Sequence, residues 1–120
     1  MNRRDLNYFK RRLQQWLASL EQQAGNTVSY FRQYAERMAD PLDQAANEYQ
    51  RNFALRIHNR EALLIRKIKQ CIRDIEEGGY GLCEGCGNPI GIERLKVRPV
   101  ARYCIDCKTA AEKRERVFGL

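Results

Sequence analysis

Four of the five cysteines form two closely spaced pairs whose spacing is typical of metal ligands. Two residues separate Cys83 from Cys86 and Cys104 from Cys107, and seventeen residues lie between the pairs. A thiolate pair on a tight turn directs two sulfurs to one point, so two pairs supply the four ligands of a closed zinc site. Glycine, asparagine and proline at 87–89 favour the turn that follows the first pair. The spacing predicts one structural Zn²⁺ per chain.

Two other kinds of site compete for the same cysteines. A redox dithiol usually has a single C-x-x-C motif beside a strand–helix–strand pattern, which this sequence lacks. Disulfides are typical of oxidising compartments, and the N-terminal residues do not form the apolar segment of a secretory signal, so we expect a cytoplasmic protein with reduced thiols. The fifth cysteine, Cys71, falls on an apolar helical stripe, which predicts a buried core thiol rather than a fifth ligand.

Two long stretches of helical periodicity must position these cysteines. Apolar residues recur every three or four positions from about Asp5 to Met38 and again from about Leu42 to Glu77. Between them, Asp40 and Pro41 disfavour continuation of the first helix and favour the start of a second. The pattern predicts an antiparallel coiled-coil hairpin with helices of roughly 50 Å.

The second stretch carries an apolar stripe that is expected to pack against the first helix. The stripe is apolar except at Arg60, and it consists of Ala46, Tyr49, Phe53, Ile57, Arg60, Leu64, Ile68, Cys71 and Ile75. The first helix has a weak point at Gly25-Asn26-Thr27, three poor helix formers. We predict one continuous helix there, with a break as the alternative, and we expect Gly78-Gly79 to end the second helix.

The remaining residues predict a small module at the base of the hairpin. We expect the hairpin to span 1–78, with its tip at 39–45, and the zinc-finger module with its C-terminal helix to span 79–120, the two forming one structural unit. A short strand is expected at 100–103. The small core of the module is predicted to contain Ile90, Ile92, Leu95 and Val97. A terminal helix from Asp106 to about Arg116 is expected to direct three side chains inward: Ala110, Ala111 and Val117.

Length and charge narrow the class of protein without choosing its partner. The chain has 120 residues, which is a single-domain length, and a formal net charge of +7. Its apolar runs are shorter than the roughly 18 residues that a membrane span needs, so we expect no membrane association. A basic chain fits nucleic acid, a phosphate-bearing ligand or an acidic protein surface equally well.

Taken together, these motifs resemble the DksA/TraR family of bacterial transcription regulators, and the resemblance covers essentially the whole chain. The tip sequence from Asp40 to Ala45 fits the family pattern D-x-x-D-x-A. The resemblance also rests on four other motifs: Cys-Glu-Gly-Cys-Gly from Cys83, the stretch Ile90–Leu95, Arg98-Pro99 and Cys104-Ile-Asp-Cys-Lys108. All four cysteines are present, so the chain is similar to the zinc-bearing members.

The resemblance implies a non-enzymatic protein, expected to be a monomer, that binds bacterial RNA polymerase rather than a specific DNA sequence. The hairpin would enter the secondary channel of the polymerase and bring its tip near the active centre. There it would change initiation-complex stability at ribosomal RNA and amino-acid biosynthesis promoters, together with the alarmone ppGpp.

The resemblance also assigns roles to individual residues. The tip residues expected to act near the active centre are Asp40, Asp43 and Ala45. The basic residues expected to contact ppGpp are Lys67, Arg98 and Lys108, and those expected at the shared interface of polymerase and ligand are Arg60 and Leu64. From the residues alone, the two aspartates are better explained as helix caps, and only the resemblance favours a functional role for them. The basic residues are also explained as solvated charges or as partners of the zinc–thiolate cluster.

Three other functions remain open at this point. A nucleic-acid-binding zinc ribbon is supported by the positive charge and the zinc site, although the basic residues are scattered and the tip is acidic. A transcript-cleavage factor similar to the Gre proteins would also use a coiled coil with an acidic tip in the secondary channel. A divergent paralogue could bind polymerase without responding to ppGpp, which the retained basic residues argue against.

Overall fold

The computed structural model describes residues 1–37 and 44–119, and within these it leaves out the side chains of residues 31, 34–37 and 44–47. In the described part the chain is mainly helical and has no β-strand. The helices are α1 (Arg3–Arg37), α2 (Gln44–Glu77), α3 (Ile92–Val97) and α4 (Ile105–Phe118). No helix in these residues is both long and apolar enough to cross a membrane. The predicted fold class is confirmed: a long antiparallel helical hairpin, a four-cysteine base and a C-terminal helix.

Helix α1 is continuous through the stretch of poor helix formers. It begins where the Asn2 side chain accepts a hydrogen bond of 2.8 Å from the Asp5 amide, which satisfies one of the free amides of the first turn. At the weak point, the Thr27 hydroxyl donates a hydrogen bond of 3.1 Å to the Gln23 carbonyl, so the hydroxyl is satisfied within the helix. The prediction of one unbroken helix is confirmed.

Helix α2 ends at the predicted glycines. Gly78 has a φ of +88°, a left-handed conformation that residues with a β-carbon rarely adopt. The next amide, that of Gly79, donates a 2.9 Å hydrogen bond back to the Asp74 carbonyl. The turn predicted at Asp40-Pro41 and the helix start predicted at Leu42 lie outside the described residues and stay predictions.

The described chain divides into two compact units, and the first comprises Gln14–Lys69. In this unit α1 and α2 run antiparallel, with Leu20 and Ile68 buried. Glu21 and Lys69 form a surface ion pair of 3.7 Å, which contributes at most about 1 kcal/mol.

The expected burial of the α2 stripe is wrong over part of this unit. The exposed fractions of Tyr49, Phe53 and Ile57 are 71%, 56% and 40%. On the α1 side of the groove that they line are Asn26, Thr27 and Tyr30. Asn26 and Thr27 have short side chains, so this part of α1 gives the large apolar groups of α2 little cover.

The second unit comprises Met1–Leu13 and Gln70–Leu120. Its buried apolar residues come from α1, α2 and the following module: Phe9, Leu13, Cys71, Tyr80, Cys83, Ile90, Leu95 and Val100. The rings of Phe9 and Tyr80 lie 5.7 Å apart in a tilted arrangement, a favourable distance for an aromatic pair. Cys71 is buried, as predicted. Two residues predicted for this core are exposed instead, Ile92 at 38% and Val97 at 85%.

Two local predictions for the base are wrong. The expected strand at 100–103 does not form, because Val100 lies in a turn closed by a 3.0 Å bond from the Ala101 amide to the Arg98 carbonyl, and Pro99 has no amide to donate. Helix α4 buries none of its residues. Ala110 and Val117 are exposed and Ala111 is half-buried, since this helix is joined to the base through the cysteines at its N-terminus rather than through an apolar face. The predicted division at residue 78 stays a prediction.

Candidate metal centre

The four paired cysteines converge on one point. The Sγ atoms of Cys83, Cys86, Cys104 and Cys107 all lie within 4.8 Å of one another, and those of Cys86 and Cys104 are 3.8 Å apart. Four thiolates arranged tetrahedrally at about 2.3 Å from a Zn²⁺ ion have sulfurs about 3.8 Å apart. All five cysteines lie in the described residues and are free thiols. The donor set and its spacing therefore fit a four-thiolate zinc ion.

Backbone amides donate hydrogen bonds to two of the sulfurs, Cys83 Sγ and Cys104 Sγ. The amides of Gly85 and Cys104 each donate a 3.3 Å hydrogen bond to Cys83 Sγ. The Cys104 sulfur accepts a bond of 3.5 Å from the Cys107 amide and so caps the start of α4. Amide–sulfur bonds of this kind stabilise thiolate over thiol. The same turns that place the sulfurs thus also favour their ionised form.

The pKa values of two thiols move in opposite directions. The pKa of Cys83 falls to about 6, chiefly because the Cys104 amide donates to its sulfur. The pKa of Cys107 rises to about 12, mainly because its thiol hydrogen-bonds with Cys104. Hydrogen bonds with the sulfurs of Cys83 and Cys86 raise it further. Four acidic groups around one point cannot all ionise without a compensating charge. A bound divalent cation would supply that charge.

Hydrogen bonds outside the sulfurs hold the two cysteine turns together. The Cys83 amide donates to the Asn88 carbonyl over 2.8 Å, and the Gly87 amide donates to the Cys83 carbonyl over 2.9 Å, which closes the first turn. The next residue, Glu84, donates its amide to the Arg102 carbonyl over 2.8 Å, and the two side chains form an ion pair. This double contact links the first turn to the segment that leads into the second cysteine pair.

Two further contacts tie the rest of the unit to this centre. The buried Tyr80 hydroxyl donates a 2.8 Å hydrogen bond to the Pro99 carbonyl. The Arg12 guanidinium on α1 donates to the Lys96 carbonyl at the end of α3. The first contact joins the segment after α2 to the segment between the cysteine pairs, and the second contact joins α1 to the same segment.

The sequence analysis missed these supporting residues, although one of them carried a signal. Glu84 directly follows the first ligand and Arg102 lies two positions before the third, so opposite charges flank two turns that must meet. Nothing local indicated that Tyr80 would reach Pro99, or that Arg12 would reach Lys96 across 84 positions of sequence.

The predicted tip residues receive no structural description. Asp40 and Asp43 lie outside the described residues. Ala45 lies in α2, and its side chain is among those not described.

Three of the predicted interface residues lie together in the Gln14–Lys69 unit. Arg60, Leu64 and Lys67 line one groove on α2, which we call the basic groove; its other lining residues are Ile57, Glu61 and Leu63. The spacing of three and four residues puts Arg60, Leu64 and Lys67 on one face of the helix. Cationic and apolar groups are thus side by side.

The remaining two predicted residues lie in the unit that holds the cysteines. Arg98 is exposed and ends α3, and its amide donates a 2.8 Å hydrogen bond to the Arg94 carbonyl. Lys108 is exposed in the first turn of α4, and its amide donates to the Cys104 carbonyl over 3.0 Å. The backbone of Lys108 is therefore held by one of the four clustered cysteines.

Two family models together match most of the chain. Residues 5–75 match the N-terminal domain of DnaK suppressor protein DksA, and residues 78–113 match the prokaryotic dksA/traR C4-type zinc finger. The second match contains all four clustered cysteines.

Curated relatives are similar over nearly the whole chain. The RNA polymerase-binding transcription factor DksA of Salmonella typhimurium is 43% identical over 97% of this chain and 77% of its own length. The protein of the same name from Escherichia coli K12 is 42% identical with the same coverage. That from Caulobacter vibrioides is 41% identical over 98% of this chain and 82% of its own length.

Solved structures show the same fold. Transcription factor DksA2 from Pseudomonas aeruginosa superposes with a TM-score of 0.90 at 35% identity, covering 97% of this chain and 89% of that one. A Dks protein from Chlamydia trachomatis, described as an RNA polymerase binding protein and transcriptional regulator, superposes with a TM-score of 0.56 at 21% identity. It covers 94% of this chain and 93% of that one, and this likeness concerns the fold alone.

Proposed function

This chain belongs to the DksA/TraR family, and we propose that it binds bacterial RNA polymerase and regulates transcription without catalysing a reaction itself. The observation that carries the proposal is its identity of 41–43% with RNA polymerase-binding transcription factors over at least 97% of its length. We further propose that it acts as a monomer in the cytoplasm and binds no specific DNA sequence of its own.

The zinc ion has a structural role in this proposal. Cys83, Cys86, Cys104 and Cys107 would hold it, which closes the coordination sphere and leaves no open position for chemistry. Bound zinc would compensate the charge of the four thiolates and join the two turns that Glu84 and Arg102 already connect. The fit of the four sulfurs to a tetrahedral ion supports this assignment.

The regulatory action is proposed to come from the tip. Entry of the hairpin into the secondary channel would bring the carboxylates of Asp40 and Asp43 near the catalytic magnesium or a basic loop. Charges there shift a conformational equilibrium only to the extent that they bind one state more tightly than the other. Asp40 also has a capping role, so Asp43 is the residue on which we expect the activity to depend most.

We propose that ppGpp strengthens the effect by binding between this chain and the polymerase. Lys67, Arg98 and Lys108 would contact its phosphates, with the arginine able to form paired hydrogen bonds. Arg60 and Leu64 would contact the polymerase beside it. The common groove of Arg60, Leu64 and Lys67, with cationic and apolar groups on one helix face, is compatible with these roles.

Transcription in vitro from a ribosomal RNA promoter tests the proposal. Purified bacterial RNA polymerase is assayed with and without this protein and with and without ppGpp, and the Asp43→Asn variant serves as the control for the tip. We expect inhibition that ppGpp deepens and that Asp43→Asn abolishes while polymerase binding persists. If the wild type has no effect on transcription and binds DNA alone with a steep salt dependence, the protein is a nucleic-acid-binding zinc ribbon instead.

A further inference from the structure

An apolar groove lies beside the basic groove in the Gln14–Lys69 unit. Its lining residues are Asn26, Thr27 and Tyr30 from α1 and Tyr49, Gln50, Phe53, Ala54 and Ile57 from α2. We call it the aromatic groove. None of its lining residues is charged, and the large side chains on its α2 side are more than one third exposed. Such a contiguous apolar surface is typical of a binding site for a protein partner.

The two grooves form one continuous surface. Ile57 lines both of them. Along α2 the groove residues fall at spacings of four, four, three, four and three, in the order Tyr49, Phe53, Ile57, Arg60, Leu64 and Lys67. Residues at these spacings share one helix face, and the stripe extends roughly 27 Å at 1.5 Å per residue. A partner that contacts the basic groove is therefore next to the aromatic groove.

The charge around the stripe indicates the chemistry of the partner. From Glu48 to Lys69, α2 carries six Lys or Arg residues and two Glu residues. A second copy of this chain, packed symmetrically on the same face, would bring one basic surface against another, which is unfavourable. An acidic partner with exposed apolar side chains is complementary to both the charge and the groove.

We infer that the aromatic groove is a second anchoring site for RNA polymerase, which receives a ridge of aliphatic or aromatic side chains flanked by carboxylates. The inference rests on the proposed function and adds to it a contact made by Tyr49, Phe53 and Ile57. These residues bury their exposed apolar surface in the complex, and buried aromatic side chains are frequent hot spots of protein interfaces. Affinity then depends on the groove as well as on the basic residues.

The test compares two truncations on the same helix. Phe53→Ala removes a lining residue of the groove, whereas Leu55→Ala removes an exposed apolar side chain that lies outside it. Equilibrium binding of each variant to purified bacterial RNA polymerase is measured beside the wild type, and thermal unfolding by circular dichroism confirms the fold. We expect Phe53→Ala to bind about tenfold more weakly and Leu55→Ala to remain within about twofold of the wild type.

The outcomes separate this inference from the function on which it rests. If the wild type fails to bind polymerase, the proposed function is wrong. If the wild type binds and Phe53→Ala binds equally well, only the inference about the groove is overturned. If, in addition to this equal binding, the wild type sediments as a dimer and Phe53→Ala sediments as a monomer, the inference is also overturned. The groove is then a contact between two copies of the chain.

Discussion

Gly85 lies so close to Cys107, one of the four proposed zinc ligands, that a β-carbon added at residue 85 would be 3.1 Å from Cys107 Sγ. A contact of this length requires the sulfur or the turn to move, so Gly85→Ala is expected to weaken zinc binding by roughly 10- to 100-fold, as changes around metal ligands commonly do. Competition with a chromophoric zinc chelator measures the affinity. Gly79→Ala is the control, because a β-carbon there meets nothing within 4 Å. Equal zinc affinity in the Gly85→Ala protein and the wild type would contradict the prediction.

Zinc removal is expected to loosen the unit formed by Met1–Leu13 and Gln70–Leu120. Without the cation, the four cysteines cannot all stay ionised, and the two cysteine turns lose their common anchor. Chelation, or the substitution Cys86→Ser, should lower the thermal transition and the helical circular dichroism signal. Cys71→Ala, which changes a cysteine outside the cluster, should still bind one zinc ion per chain. A chelated protein that keeps both its transition and its polymerase binding would refute the structural role of the metal.

Substitution by alanine is expected to change the free energy of unfolding in opposite directions at Gly25 and Gly78. At both positions an added β-carbon would meet no other atom within 4 Å. Gly25 lies inside α1, where alanine should raise the free energy of unfolding by about 1 kcal/mol. Gly78 has a φ of +88°, where alanine should lower it by about 1–2 kcal/mol because of the strained backbone. Urea denaturation of both variants measures the two changes. Changes of the same sign would show that space, rather than backbone conformation, determines the effect.

Stability is expected to fall at alkaline pH because of the buried Tyr80. Burial raises the pKa of this phenol, and the neighbouring Cys71 raises it further, while Arg12 acts in the opposite direction. The unfolded chain loses the phenolic proton near pH ~10 and the folded protein keeps it to higher pH, so the free energy of unfolding falls as pH rises above about 10. Cys71, whose own pKa is raised by burial, contributes a loss of the same sign.

The Tyr80→Phe variant removes both the hydrogen bond to Pro99 and the ionisable phenol, and the two effects on stability appear in different pH ranges. At neutral pH the variant should be less stable by about 1 kcal/mol, since the Pro99 carbonyl loses its donor. Above pH ~10 its stability should fall less steeply than that of the wild type. Tyr8→Phe, at an exposed position, should change neither quantity. Urea denaturation between neutral and alkaline pH gives both values, and parallel curves for Tyr80→Phe and the wild type would contradict the assignment.

The sequence by itself determined the features that depend on local spacing. The C-x-x-C pairs, the helical periodicity on both sides of Asp40-Pro41 and the paired glycines at 78–79 each involve residues close in sequence. Turn geometry and helical periodicity are properties of short segments, so the cluster of thiols, the two long helices and the end of α2 could be predicted. The resemblance to a known family depended on the same short motifs.

Only the tertiary structure decided which side chains are covered and which distant groups meet. Tyr49 and Phe53 repeat at core spacing, yet they are exposed and line an open groove, where the described α1 residues opposite them are Asn26, Thr27 and Tyr30. The contacts of Glu84 with Arg102 and of Tyr80 with Pro99 likewise depend on how separate segments approach one another. Burial is a property of two packed surfaces, and the periodicity of one helix specifies only its own side of the contact.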